Sequence, residues 1–175
     1  HEHFDSNGKK TVAEVIAGKI EQDKAPTPPP DSWSSDSENE VAVWNIEMEA
    51  GASWTLPKTR VGVNRTLYLF KGQELSIEGQ TIKNYHAAEL RTDVGVKLLN
   101  GPQKAHFLIL QGKPINEPVV QHGPFVMNSK DEIRQAFMDY QRTQFGGWPW
   151  PVNDPVHPRS KGRFAKHSDG KLEEK

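Results

Sequence analysis

The 175-residue sequence predicts an all-β fold, a barrel or two-sheet sandwich with one helix near its end. Three observations carry that prediction. Residues 41–49 alternate, with Trp44, Ile46 and Met48 set against Asn45, Glu47 and Glu49, the period of two that a strand shows when one face is wet. Short apolar or β-branched runs then recur between turn signals at Lys71-Gly72, Glu78-Gly79, Thr92-Asp93 and Asn100-Gly101-Pro102. Only one stretch, 129–144, has helical character. There Ser129 and Glu132 form a capping box, and Ile133, Ala136, Phe137 and Tyr140 follow at i, i+3, i+4, i+7 spacing.

The elements follow in order. Residues 10–17 are β-branched and close on Gly18, as a half-buried first strand would. Residues 25–40 are rich in proline, serine and acidic side chains and read as a surface loop: Pro28-Pro29-Pro30 stiffens it toward polyproline II, and Trp33 is its apolar anchor. After the strand at 41–49, further strands are expected at 65–70, 73–77, 87–90, 96–99 and 106–110. The helix is expected to lay its apolar stripe on the barrel and stop at Gly146-Gly147. Beyond it, Trp148-Pro149-Trp150-Pro151, with Pro155 and Pro158, suits neither a helix nor a central strand, and its aromatics need a surface to cover. Residues 168–175 have almost nothing to bury and are expected to fray. The expected organisation is a barrel at 1–127, a helix at 128–146 packed on it, and an extended tail at 147–175.

Composition narrows the function. The length suits one domain with a sizeable core. The 22 basic and 23 acidic residues are interspersed and leave a net charge of -1, so neither nucleic acid nor an anionic membrane is an expected partner. No run approaches the ~18 apolar residues of a membrane helix. The absence of cysteine excludes disulfides, thiolate nucleophiles and sulfur-ligated metals. Because the sequence opens on His1, a targeting signal or upstream domain is expected to lie outside it.

The histidines carry the remaining chemistry. His1-Glu2-His3 could hold Cu(II) or Ni(II) only with His1 as a free terminus, and otherwise reads as a frayed end. His86 and His106 stand alone at strand edges and read as hydrogen-bonded structural residues, while His157 and His167 read as solvated tail residues. His122, between Gln121 and a Gly-Pro turn, is either a polar hinge against a neighbouring surface or a residue satisfied within its own turn. No Gly-x-Ser-x-Gly elbow supports a hydrolase, and no glycine spacing supports a phosphate loop.

One stretch is more specific than all of these. Glu117-Pro118-Val119-Val120-Gln121-His122-Gly123-Pro124-Phe125-Val126-Met127-Asn128 resembles the signature of the pirin family, and Gly162-Arg163-Phe164-Ala165-Lys166-His167 resembles its bacterial branch. The resemblance implies a bicupin: two double-stranded β-helix barrels of jelly-roll type, the first holding a non-haem iron through three histidines and a glutamate, the second without metal. It identifies this chain with the second, degenerate barrel plus helix and tail. The cupin motif Gly-x5-His-x-His, counted from Gly51, falls on Pro57 and Thr59, and the His-x3-Asn motif ending at Asn100 falls on Val96. No cofactor is therefore expected in this chain; iron is expected only in an N-terminal cupin that the sequence does not contain.

What the resemblance implies about function follows. The chain would support the iron barrel and form no catalytic site of its own. Alternatives are a share in a quercetin 2,3-dioxygenase-type enzyme whose iron barrel lies upstream, or a free-standing interaction module. The implied partners are the N-terminal cupin, a regulator or metabolic enzyme, or a second copy of the isolated chain, and the resemblance favours a cytoplasmic setting. Gln121, His122, Phe125, Met127, Trp148 and Trp150 are the candidate contact residues.

Overall fold

The computed structural model describes residues 1–153 and 156–174; Pro155, one of the expected tail breakers, lies outside them. Contacts group the chain into two units, His1–Ile115 and Asn116–Lys175. The hairpin at 120–127 thus belongs with the helix, where the sequence pattern had joined it to the barrel.

The first unit is built from twelve strands. β1 (Glu2–Phe4), β2 (Lys10–Ala17), β5 (Ala42–Met48), β12 (Ala105–Gly112), β7 (Asn64–Lys71) and β10 (His86–Glu89) form a six-stranded sheet in the order β1-β2-β5-β12-β7-β10. β6 (Ser53–Leu56), β11 (Val96–Asn100), β8 (Glu74–Ile77) and β9 (Gln80–Lys83) form a second sheet in the order β6-β11-β8-β9. All their pairings are antiparallel. β3 (Lys19–Ile20) and β4 (Asp23–Lys24) make a small separate hairpin.

Alternation decides which residues enter the core. Along β5, Ala42, Trp44, Ile46 and Met48 are buried and the residues between them are not. Register sets Ile46 opposite Phe107 of β12, which in turn faces Leu69 of β7. These residues and Leu56, Leu75 and Leu98 of the smaller sheet belong to one buried cluster, so the two sheets close on a shared core. Asn100, itself buried, closes the end of β11: its amide reaches the carbonyls of Met48 at 3.1 Å and Glu49 at 2.8 Å, and its Oδ1 accepts from Gly101 at 2.8 Å.

The sequence reading is corrected in several places. His1–His3 is no frayed end: Glu2–Phe4 pairs with β2, and the His1 ring sits 2.9 Å from Asp23. The 25–40 loop contains two 3-10 turns, Trp33–Ser35 and Ser37–Asn39, capped by Ser32 and Asp36. Trp33 ties it down through its indole N–H on the carbonyl of Lys113 at 3.2 Å.

In the second unit, β13 (Val120–His122) and β14 (Phe125–Met127) form a hairpin whose two-residue turn is Gly123-Pro124. Gly123 has φ +57°, the left-handed geometry that a glycine-first hairpin turn needs. Helix α1 (Lys130–Thr143) follows, with Ser129 Oγ accepting from the Glu132 amide at 3.2 Å. Glu132 reaches back to the Asn128 amide at 3.1 Å, one residue before the position a capping box predicts. Ile133 and Ala136 are buried, but Tyr140, the last residue of the expected stripe, is 49% exposed. The helix contacts the β13–β14 hairpin and ends at Gln144, left-handed at φ 48°, just before the two glycines. The tail is not wholly extended: β15 (Phe164–Lys166) pairs with β16 (Leu172–Glu174), and Gly170 at φ +89° serves the connecting turn. Among the described residues no helix is long and apolar enough to cross a membrane.

Candidate functional site

The chemistry of the barrel gathers around Arg65. β7 alternates so that Arg65, Leu67 and Leu69 are all buried, which carries a guanidinium inward to 2% exposure. Its Nε donates to Gln111 Oε1 at 2.7 Å and its Nη1 to the carbonyl of Pro57 at 2.8 Å. The group lies 5.7 Å from the Trp44 ring centroid, in cation–π range. Burial lowers the pKa of Arg65, and the charge of Glu40 opposes that shift. A charged side chain thus stands inside the barrel among apolar neighbours.

Gln111 and Glu40 connect Arg65 to the surface. Gln111 Nε2 donates to the Glu40 carbonyl at 2.9 Å. The Glu40 carboxylate accepts from the Thr59 hydroxyl at 2.6 Å and faces Arg60 Nε at 3.3 Å. Arg60 also donates to Glu38 at 2.8 Å. A cleft of about 420 Å³ opens over this network, between Gly18 and the β3–β4 hairpin on one side and Ser34–Ser37 with Arg60 on the other.

The positions that the cupin motifs give to metal ligands lie beside this network. Val96, buried in β11, pairs with Leu56, the residue before Pro57. Thr59 commits its hydroxyl to Glu40 and its amide to the Thr92 carbonyl at 2.6 Å. Proline, threonine and valine supply no imidazole or carboxylate, so these residues do not fit a non-haem iron. Among the described residues no three histidine or acidic side chains converge as a metal would require.

The histidines take structural roles. His86 Nδ1 contacts the Asn84 carbonyl at 3.1 Å, and His106 lies 3.5 Å from Glu47 and packs against Phe70. His157 stacks edge-on to Phe164 at 4.7 Å, and His167 lies 3.5 Å from Glu173.

In the second unit the aromatic contacts converge on Phe137. Phe125 meets it edge-on at 4.9 Å and His122 at 5.7 Å, so His122 is held by the helix following its own hairpin. Gln121 is exposed; Phe125 and Met127 are half-buried. A groove of about 320 Å³ runs between Val120–His122 and Lys130, Ile133, Arg134 and Phe137. The tail tryptophans contact tail residues instead: Trp148 donates to the Val152 carbonyl at 2.9 Å, and the Lys166 ammonium lies 5.7 Å from the Trp150 ring. The hairpin residues are thus brought together, and the tryptophans are engaged elsewhere.

Sequence reasoning missed Arg65, Glu40 and Gln111. For Arg65 a signal existed: in Arg65-Thr66-Leu67-Tyr68-Leu69 the arginine shares the parity of two leucines.

Two antiparallel sheets closed on one core, with this motif order, define a cupin-type β-barrel. Over 83% of the chain it superposes on a quercetin 2,3-dioxygenase from Acinetobacter baumannii with a TM-score of 0.64 and 26% identity, covering 46% of that chain. Residues 43–146 match the Pirin C-terminal cupin domain, and the chain belongs to that family. It is 46% identical to mouse pirin over 68 residues, 38% of this chain and 23% of that protein. A Vibrio cholerae protein provisionally named quercetin 2,3-dioxygenase is 38% identical over 133 residues, 75% of this chain and 44% of that protein. The chain spans less than half the length of these curated relatives.

Proposed function

We propose that this chain is a metal-free, non-catalytic cupin that completes a pirin-type protein by buttressing an iron-bearing barrel carried elsewhere in it. The observation that carries the reading is Arg65. A buried guanidinium bonded to Pro57 is a fixed positive charge next to the first motif position. At an effective dielectric of 20, like charges 4 Å apart repel by about 4 kcal/mol per charge pair, so a divalent ion beside Arg65 is disfavoured even before its ligands are counted. The cation that this barrel accommodates is its own side chain.

The second unit supports the buttressing half of the proposal. Val126, Met138, Phe145 and Trp148 are large apolar side chains left exposed on or just beyond the hairpin and helix. Covering each fully would contribute about 1.5–3 kcal/mol, and the greater length of the relatives leaves room for a domain to cover them. The N-terminal cupin of the same protein is the assigned occupant.

Two experiments address this. The 175-residue chain supplied with Fe(II) and a flavonol should show no oxygen consumption above the iron-only blank, because dioxygen activation needs an iron held with open positions. Iron-dependent uptake abolished by changing His106 or His122 would overturn the non-catalytic reading. Separately, Trp148→Ala/Trp150→Ala should weaken association with the N-terminal cupin supplied in trans, or self-association of the isolated chain, at least about tenfold while the barrel stays folded. Unchanged association and unchanged melting in that variant would return the tail to a solvated appendage.

A further inference from the structure

The cleft over Gln111 has features that the buttressing role does not use. Its β3–β4 wall sets Lys19 directly opposite Lys24 in register. Like charges facing each other across a strand pair destabilise it, and among the described residues neither ammonium has a carboxylate within ion-pair distance. The cleft's third cation, Arg60, is already neutralised by Glu38 and Glu40. Asp36 also lines the cleft and uses one carboxylate oxygen to cap the Glu38 amide at 2.9 Å. Asp36 balances one free ammonium and the carboxylate in excess at Arg60 balances the other, so these three cations and three carboxylates cancel, and the single net positive charge at the cleft is that of Arg65 in its floor.

The floor adds a donor and this positive potential. Ala42 of β5 and Gln111 of β12 are paired and line the cleft; the next inward pair, Trp44 and Ile109, lies in the core. Because Arg65 Nε holds Gln111 Oε1, the Gln111 amide must present its NH₂ outward, and only one of those two hydrogens is taken by the Glu40 carbonyl. Arg65 is 2% exposed and has no carboxylate within ion-pair distance among the described residues, so its field reaches the floor unneutralised by direct contact. Among the described residues the Trp44 indole N–H beneath has no acceptor. Between these polar features, Ala25, Pro26, Pro28 and Val41 give the walls an apolar surface, and the volume of about 420 Å³ is within the range of small-molecule sites.

We infer that this cleft binds a small organic monoanion, a carboxylate on a compact apolar body, with the carboxylate between Lys19 and Lys24 and the body against the proline-lined wall. The single uncompensated charge favours a carboxylate over a phosphate dianion. The test is a titration of the isotope-labelled 175-residue chain with benzoate, with acetate and inorganic phosphate as controls. Benzoate is expected to shift the Gly18, Lys19 and Lys24 amides and the Gln111 side-chain amide saturably, and to bind more tightly than either control. Lys19→Gln/Lys24→Gln, at two exposed positions, should weaken benzoate about tenfold or more with the barrel spectrum unchanged. Shifts spread over surface lysines in proportion to concentration, equal affinity in the double variant, or phosphate binding as tightly as benzoate would each overturn the assignment. Should the double variant fail to fold, the pattern of shifts in the unaltered chain decides the matter alone.

Discussion

Phe107→Ala is expected to destabilise the barrel unit by about 3–5 kcal/mol, the range for deleting a buried aromatic ring. Phe107 is 0% exposed on β12, an interior strand of the six-stranded sheet. It faces Ile46 across one ladder and Leu69 across the other, beside the register shift at His106/Phe107. A cavity there opens the shared core under both sheets, and strands held in pairing cannot collapse inward to fill it. Denaturant unfolding should show the midpoint falling with little change in slope. A loss under about 1 kcal/mol would mean that the two sheets do not share the core described.

Arg65→Ala should be nearly as damaging, at about 2–4 kcal/mol, for a different reason. It leaves Gln111 Oε1 and the Pro57 carbonyl without their donor, each orphaned acceptor costing about 1–3 kcal/mol, partly offset by relief of the desolvated charge. Arg65→Met isolates the polar part, because it restores apolar volume without restoring donors. It should remain less stable than the parent, and the Gln111 amide, freed of its fixed orientation, should give broadened side-chain resonances. If Arg65→Met were as stable as the parent with Gln111 unchanged, the network would not hold the mouth of the barrel together.

The parts of this fold legible in the sequence are those where a local period is long enough to read. Seven residues of strict alternation in β5 and the Ser129-to-Glu132 cap of α1 are such cases. β6 and β9 are four residues each and β3 and β4 only two, too short for a period to emerge, and β6 depends besides on β11, a partner distant in sequence. The β13–β14 hairpin is legible only at its Gly123-Pro124 turn, because strands of three residues on either side of it do not advertise themselves. Pro57, Thr59 and Val96 could be located by motif counting, and the structure sets Val96 across from the residue before Pro57. The Arg65, Gln111 and Glu40 cluster joins three separate segments, and only the register of β5, β12 and β7 brings them together.

If this barrel is built around its own guanidinium and not around iron, as proposed, elemental analysis of the 175-residue chain incubated with Fe(II) under anaerobic conditions and then washed with chelator should register it. Iron far below stoichiometry is expected, with no change on replacing His106 or His122. Roughly one tightly held iron per chain, lost on mutation of barrel residues and not of His1 or His3, would contradict it.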